Sequence, residues 1–210
     1  MSMTAMRATD SWTSGSMMDR VTGYFDNLNQ SIRTAEATDK TGQKTSIDTA
    51  IAWTMKNVLA AHNGGGKIMF IGNGGSAGIS SHCTTDYMKN GGLRAQCFND
   101  GAQLTCLAND LGYENVFVYP INMHAKPSDL LIAISSGGKS PSITKAVEAA
   151  HSKGCNVLTL SGFGADNPLR RMGDMNIYLP SKEYGFVEIG HLAYCHIVLD
   201  LIMADRQNKA

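Results

Sequence analysis

The sequence has no net charge to speak of, few aromatic residues, no long apolar run and no pair of closely spaced cysteines. Lys plus Arg number 18 and Asp plus Glu number 18, so no basic excess advertises a nucleic-acid surface and no cationic face points to anionic lipid. The expected ligand is therefore a small molecule. No apolar run approaches the roughly 20 residues needed to cross a bilayer, so no membrane partner is expected. The N-terminal MSMTAMRATDSWTSGSMM lacks the apolar core of a secretory signal, and a cytoplasmic location is expected from it. The five cysteines, Cys83, Cys97, Cys106, Cys155 and Cys195, are odd in number and form no CxxC pair; reduced, buried thiols are expected and a cysteine-based zinc site is not. A length of 210 residues fits one domain, although length alone also admits two small ones.

What the chain does have is concentrated between Lys67 and Asp86, KIMFIGNGGSAGISSHCTTD. An apolar run, Ile68 to Ile71, stops in Gly72-Asn73-Gly74-Gly75-Ser76, and an amphipathic segment follows. This reads as a buried strand, a glycine turn and a helix beginning near Ser76. Glycines let successive N–H groups converge on an anion at the positive end of that helix, with phosphate the obvious candidate. His82 and Asp86 are four residues apart and so share a face of the same helix.

Taken in order, residues 1–15 are rich in Ser, Thr and Met without periodicity and are expected to form a loose tail, leaving residues 16–210 as the folded unit. Apolar residues from Met17 to Ala35 recur at three- and four-residue steps, as on a helix face. A second helix is expected from about Ser46 to His62, ended by Asn63-Gly64-Gly65-Gly66. After the Lys67–Asp86 unit come a short apolar piece, Ala95 to Phe98, and a helical pattern from Gln103 to Asn109. Leu130 to Ile134 is a second apolar run ending in Ser135-Ser136-Gly137-Gly138-Lys139-Ser140, with Pro141 suited to the first turn of the next helix. Further strands are expected at Asn156 to Leu160 and Met175 to Leu179, and a long helix from Tyr184 to Asp205. Strands alternating with helices imply an α/β protein with a parallel sheet covered on both faces. Ligands of such sheets sit at the carboxyl ends of the strands, where both glycine and serine turns fall.

The Ser135–Ser140 loop can hold a phosphate with hydroxyls and backbone N–H groups alone. Equally, it reads as an ordinary polar loop capping its helix; two such loops on one sheet favour phosphate. Neither matches G-x-x-x-x-G-K-[ST] or a dinucleotide fingerprint, which argues against nucleotide binding. The last helix carries Glu188, His191 and His196. At about 100° per residue, His196 lies roughly 80° from Glu188 on one side and His191 about 60° on the other. Beside His82 and Asp86, Glu188 and His196 complete a set of two imidazoles and two carboxylates, suited to zinc or another divalent ion or to acid/base work. The plainer alternative is a hydrogen-bonded interior histidine and a solvated glutamate. His62, His124 and His151 are read as surface residues.

Gly72-Asn73-Gly74-Gly75-Ser76, the spacing to His82, the run Asn99-Asp100 to Asn109-Asp110, the loop Ile134 to Ser140 and the span Glu188 to His196, in that order over about residues 17–205, resemble the sugar isomerase (SIS) fold, specifically bacterial phosphoheptose isomerases. The resemblance implies a three-layer αβα SIS fold with a central five-stranded parallel sheet and N-terminal helices, forming homotetramers with active sites between subunits. It implies isomerisation of sedoheptulose 7-phosphate to glycero-manno-heptose 7-phosphate or a related heptose or octose phosphate, with a zinc ion in many members. By the same resemblance Ser76, Ser135, Ser136 and Ser140 hold the phosphate, Asn73 and Asp100 contact the sugar, His82 binds metal and His196 is metal ligand or acid/base; with the spacing argument above, Gly74 joins the substrate-binding set and Asp86 and Glu188 join His82 and His196 as expected metal ligands. Asp86, His196 and Glu188 are then the catalytic set.

Several positions depart from that pattern. Asp86 stands where the family has a glutamate and Glu188 where it has a glutamine, while Gly137 replaces a phosphate-loop hydroxyl. Asn90 falls where a substrate-contacting arginine is expected, with Arg94 displaced by Gly91-Gly92, and Gly185 falls where an aspartate is expected. The phosphate end is kept and the reacting and distal ends are altered. Aldose–ketose exchange moves a proton between adjacent carbons through an enediol. The expectation gives Asp86 proton abstraction, His196 transfer at oxygen and a divalent ion the Lewis-acid role, with Glu188 the base if Asp86 is a firm ligand. A non-catalytic SIS protein binding a sugar phosphate or a replication-initiation partner is the second expectation, and a hexosamine-phosphate isomerase or deaminating synthase domain the third.

Overall fold

The computed structural model describes residues 12–208. In chain order these form α1 (Met17–Arg33), β1 (Glu36–Asp39), β2 (Lys44–Thr45), α2 (Ile47–Asn63), β3 (Ile68–Gly72), α3 (Gly75–Lys89), β4 (Ala95–Cys97), α4 (Gly101–Leu111), a 3₁₀ turn (Tyr113–Asn115), α5 (Val118–His124), β5 (Leu130–Ser135), α6 (Pro141–Ser152), β6 (Asn156–Ser161), a second 3₁₀ turn (Pro168–Arg171), β7 (Met175–Tyr178) and α7 (Tyr184–Gln207). Small polar residues set the helix starts. Ser16 and Asp19 form a reciprocal capping box on α1, and the Ser46 hydroxyl accepts from Thr49 N at the start of α2. Pro141 opens α6, where its missing N–H is no loss.

The strands lie in the order β2-β1-β7-β6-β5-β3-β4. The five from β7 to β4 are mutually parallel, as expected. The β1–β2 hairpin extends them to seven strands by pairing β1 antiparallel to β7. Its sequence, EATD and KT, carries no apolar alternation, so neither strand is visible in the sequence. Its order comes from outside: the buried Asn176 side chain of β7 donates to Thr38 O at 3.2 Å and accepts from Thr159 Oγ1 at 2.6 Å. The 3₁₀ turn at Tyr113 and the seven-residue α5 are also absent from the sequence expectation, being too short to show periodicity.

Alternating residues of the central strands feed two cores. Ile68 and Phe70 of β3, with Leu130, Ile132 and Ile134 of β5, pack with Val58 of α2, Cys83 and Tyr87 of α3 and Val198 of α7. Met69 and Ile71, with Leu131 and Ala133, pack on the other face with Ile121 of α5 and Ile143 and Val147 of α6. Burial on both faces is why β3 and β5 read as unbroken apolar runs. Helix α7 is long and apolar enough by composition to cross a membrane, but half of its apolar window is buried in the first of these cores. Of the expected tail, residues 1–11 lie outside the described residues; at its end Trp12 packs edge-on against Tyr24, with ring centroids 5.5 Å apart. All five cysteines are free; Cys83, Cys155 and Cys195 are buried, Cys97 is half-buried and Cys106 is exposed.

Candidate active site

Two turns at the carboxyl ends of β3 and β5 face each other across a cavity of about 490 Å³, lined by Asn73, Gly74, Gly75 and Ser76 from one side and Ser135, Ser136 and Ser140 from the other. Gly74 caps α3 at φ 55°, a left-handed conformation that favours glycine. At Gly72 a Cβ would meet Ser76 O at 2.5 Å, so close approach of helix to strand requires glycine there. In the second loop, Gly138 N donates to Ser135 O at 3.1 Å and to Ser135 Oγ at 3.2 Å. Ser135 and Ser136 are buried, and the Ser76, Ser136 and Ser140 hydroxyls make no hydrogen bond among the described residues. These hydroxyls, with the N-termini of α3 and α6 behind them, are an arrangement chemically suited to an anion. Lys139 supplies the lone Lys or Arg side chain of the lining.

Gly137, where a hydroxyl is expected by resemblance, has room for one: a Cβ there would meet only Phe163 Cδ2, at 3.9 Å. Its φ is not in the left-handed region. Gly137→Ser is therefore expected to fold like the parent and to lower KM for a sugar phosphate by about three- to tenfold, the effect of one added hydrogen bond to a charged group. Steady-state kinetics check this, and an unchanged or raised KM would contradict it.

The second half of the site lies between α3 and α7, which run side by side. His82 Nε2 is 3.2 Å from His196 Nε2. Asp86 Oδ2 is 3.2 Å from His82 Nε2 and 3.9 Å from His196 Nδ1. Candidate ligand atoms of these three residues all lie within 4.8 Å of one another. The other oxygen of Asp86 accepts from Asn90 Nδ2 at 3.3 Å, so the asparagine at the expected arginine position orients the carboxylate. Two imidazole nitrogens and one carboxylate oxygen converging at this spacing form a donor set that fits zinc or another borderline divalent ion.

Three of the four expected ligands are thus together. Glu188 is placed differently: its carboxylate rests against Gly75 at the start of α3, where a Cβ would overlap it, and it lines the anion cavity. A carboxylate there gains from the positive end of the helix. Asp100 does not line the cavity; it caps α4, Oδ1 accepting from Gln103 N at 2.9 Å. Asn73 does line it, with its amide fixed on both sides: Nδ2 donates to Ser142 Oγ and Oδ1 accepts from Tyr113 Oη, each at 2.9 Å. Neither partner was singled out from sequence. Tyr113 belongs to the short 3₁₀ turn, and its only sequence signal is its place directly after Gly112.

His191 is fully buried and turned away from the cluster, Nε2 donating to Ser161 O at 3.1 Å while Nδ1 has no partner among the described residues. Burial pushes its pKa down from 6.5 to about 4. A group whose folded pKa lies below its unfolded value contributes fully above the unfolded value, and that stability is lost as pH falls toward the folded value. Wild-type stability is therefore expected to fall between about pH 6.5 and 4, by at most about 1.4 kcal/mol per pH unit from this group. His191→Gln, which cannot titrate, should show a shallower decline in urea midpoint; parallel declines would remove His191 as the cause. His62, His124 and His151 lie outside the cluster, with His62 half-buried and the other two exposed.

A parallel α/β sheet with a hydroxyl-lined cavity at its carboxyl edge, and a His/Asp cluster about two turns along the helix that leaves that edge, defines a sugar isomerase (SIS) type of domain. The chain belongs to the SIS domain family, whose model matches residues 23–162. A phosphoheptose isomerase of Alkalilimnicola ehrlichii is 34% identical over 193 residues, spanning 88% of this chain and 94% of that protein. One of Rhodospirillum rubrum is 33% identical over 159 residues, spanning 73% and 84%. The solved structure of a phosphoheptose isomerase from Francisella tularensis superposes with a TM-score of 0.77 at 26% identity, covering 90% of this chain and 98% of that one.

Proposed function

We propose that this chain is an aldose–ketose isomerase of sugar phosphates that interconverts sedoheptulose 7-phosphate and glycero-manno-heptose 7-phosphate, or a heptose or octose phosphate of the same pattern. The observation that carries the reading is the hydroxyl-lined cavity at the start of α3 together with the His82–Asp86–His196 cluster about two turns further along the same helix. The name shared by the two relatives above supports the heptose assignment. Ser76, Ser135, Ser136 and Ser140 hold the phosphate and, with Asn73, fix the sugar at a distance from the reacting carbons, so binding energy is used for positioning. Asp86 takes the proton from carbon and His196 moves the proton at oxygen; Glu188, facing the sugar from the start of α7, is the base where Asp86 is held as a ligand. His82, Asp86 and His196 would hold zinc or another divalent ion, which when bound supplies Lewis-acid stabilisation of the enediolate.

We further infer a homotetramer acting in the cytoplasm, with residues 16–210 as one SIS domain. Supporting the assembly, Met17, Met18, Val21 and Phe25 present an exposed apolar face on α1, and Ile189, Ile197 and Leu201 do so on α7.

The test is isomer formation followed by NMR with a panel of C6 to C8 sugar phosphates, before and after chelation. Turnover of a C7 or C8 substrate, lost by at least about tenfold on metal removal and restored by Zn²⁺, is the expected result. Binding of sugar phosphates without turnover of any would favour a sensor or assembly role instead.

A further inference from the structure

A second cleft, of about 510 Å³, lies between the β1–β2 hairpin and the 3₁₀ turn Pro168–Arg171. Its size is that of a small-molecule site. Four cationic side chains line it: Lys40 and Lys44 from the hairpin, and Arg170 and Arg171 from the turn. No Asp or Glu lines it.

Of the nearby carboxylates, Glu36 and Asp39 are engaged, while Asp166, next to the lining residue Ala165, is exposed. Glu36 Oε2 is shared between Lys44 Nζ at 3.0 Å and Arg170 Nη2 at 2.7 Å, one negative charge for two positive ones. Asp39 is turned into its own hairpin, its Oδ1 accepting from Thr41 N, Thr41 Oγ1 and Gln43 N at 2.7 to 3.1 Å. Lys40 and Arg171 make no ion pair among the described residues. One wall is also rigid. The Arg170 guanidinium donates to Glu36 and to Ala165 O, and it covers the Tyr178 ring at 4.1 Å, so it is fixed before any ligand arrives.

We propose that this cleft binds an oligophosphate, recognised through its phosphate chain. Lys40 and Arg171, which make no ion pair among the described residues, together with Lys44 and Arg170 sharing the single Glu36 carboxylate, leave a positive excess spread over more space than one phosphate fills, which suits two phosphates or more in a row. The Tyr178 face, already covered by Arg170, offers no platform for a nucleobase. The cleft is distinct from the sugar-phosphate cavity but touches its wall: Leu169 N in the same turn donates to Gly138 O at 3.1 Å, and Arg170 N donates to Asn167 Oδ1 at 3.0 Å beneath that loop.

Isothermal titration of the full chain with inorganic tripolyphosphate at about 100 mM salt, where exposed charges are already screened over about 10 Å, tests it. Because the catalytic cradle also takes phosphates, the titration is repeated on S136A/S140A, which lacks two of its hydroxyls. Binding in the millimolar range or tighter should persist in S136A/S140A and weaken at least tenfold in K40A/R171A, which should keep wild-type isomerase activity. K40R/R171K, with charge conserved, should bind within about twofold of wild type, separating charge from any folding defect. No binding to wild type, equal binding to K40A/R171A, or loss in K40R/R171K would each overturn the proposal. So would tighter binding of a decaglutamate peptide than of tripolyphosphate, since the cleft would then be a surface for acidic protein segments.

Discussion

Asp86→Asn is expected to lower kcat on the true substrate by on the order of a thousandfold while leaving phosphate binding within about threefold of wild type. The substitution is isosteric and removes a charge, a proton acceptor and the one carboxylate among the three candidate metal ligands. Asp86 is the one carboxylate in the cluster, with Oδ2 facing both imidazoles and Oδ1 held by Asn90. No other acid in the cluster can take its place. The proposed phosphate site, by contrast, is lined by Ser76, Ser135, Ser136 and Ser140, none of which is bonded to Asp86. Single-turnover kinetics, together with inorganic-phosphate protection against thermal unfolding, separate the two. Unchanged turnover would remove Asp86 from the chemistry. A large loss in Glu188→Gln with little loss in Asp86→Asn would move the base to Glu188, whose carboxylate already faces the sugar-phosphate cavity.

The parts of this molecule legible in its sequence are those set by local rules. β3 and β5 are apolar without a break because both faces are buried, and each ends in a turn where close approach or a left-handed φ requires glycine, at Gly72 and Gly74 in one and Gly138 in the other. Helical spacing put His82 with Asp86, and Glu188 with His196, on shared faces. That spacing cannot say how far one helix slides along the other. The slide decides that His196 meets His82, and that Glu188 instead reaches Gly75, nearly two turns earlier on α3. Asp100, expected by resemblance to contact the sugar, caps α4, a local role that the sequence reading did not include. His191 shares a helix with His196 but faces Ser161 O in the core. The hairpin was invisible because its order comes from Asn176 and the edge of β7, which lie far along the chain.

Gly138→Ala should be the most damaging single methyl group in the phosphate loop. Gly138 sits at φ 61°, where an L side chain costs roughly 1–2 kcal/mol. A Cβ there would also overlap the Asn167 side chain. Asn167 cannot yield cheaply. It is fully buried, its Nδ2 donates to Ser161 Oγ, Gly162 O and Gly164 O at 2.8 to 3.3 Å, and its Oδ1 accepts from Arg170 N. Displacing it leaves buried polar atoms unpaired, a further cost of about 1–3 kcal/mol. A total near 3 kcal/mol corresponds to a melting temperature lower by about 6–12 °C in a chain of this size. Because Gly138 N holds Ser135 and Gly138 O holds Leu169, the hydroxyls of the cradle move with it. KM for the sugar phosphate should then rise by about a hundredfold or more, as misplacing an anchor by an ångström commonly costs. The neighbouring Gly137→Ser gives the internal control, since it adds a larger side chain one residue away with the opposite expected sign. If both variants melt together and bind alike, the loop is simply tolerant and the cradle is not formed by its backbone geometry.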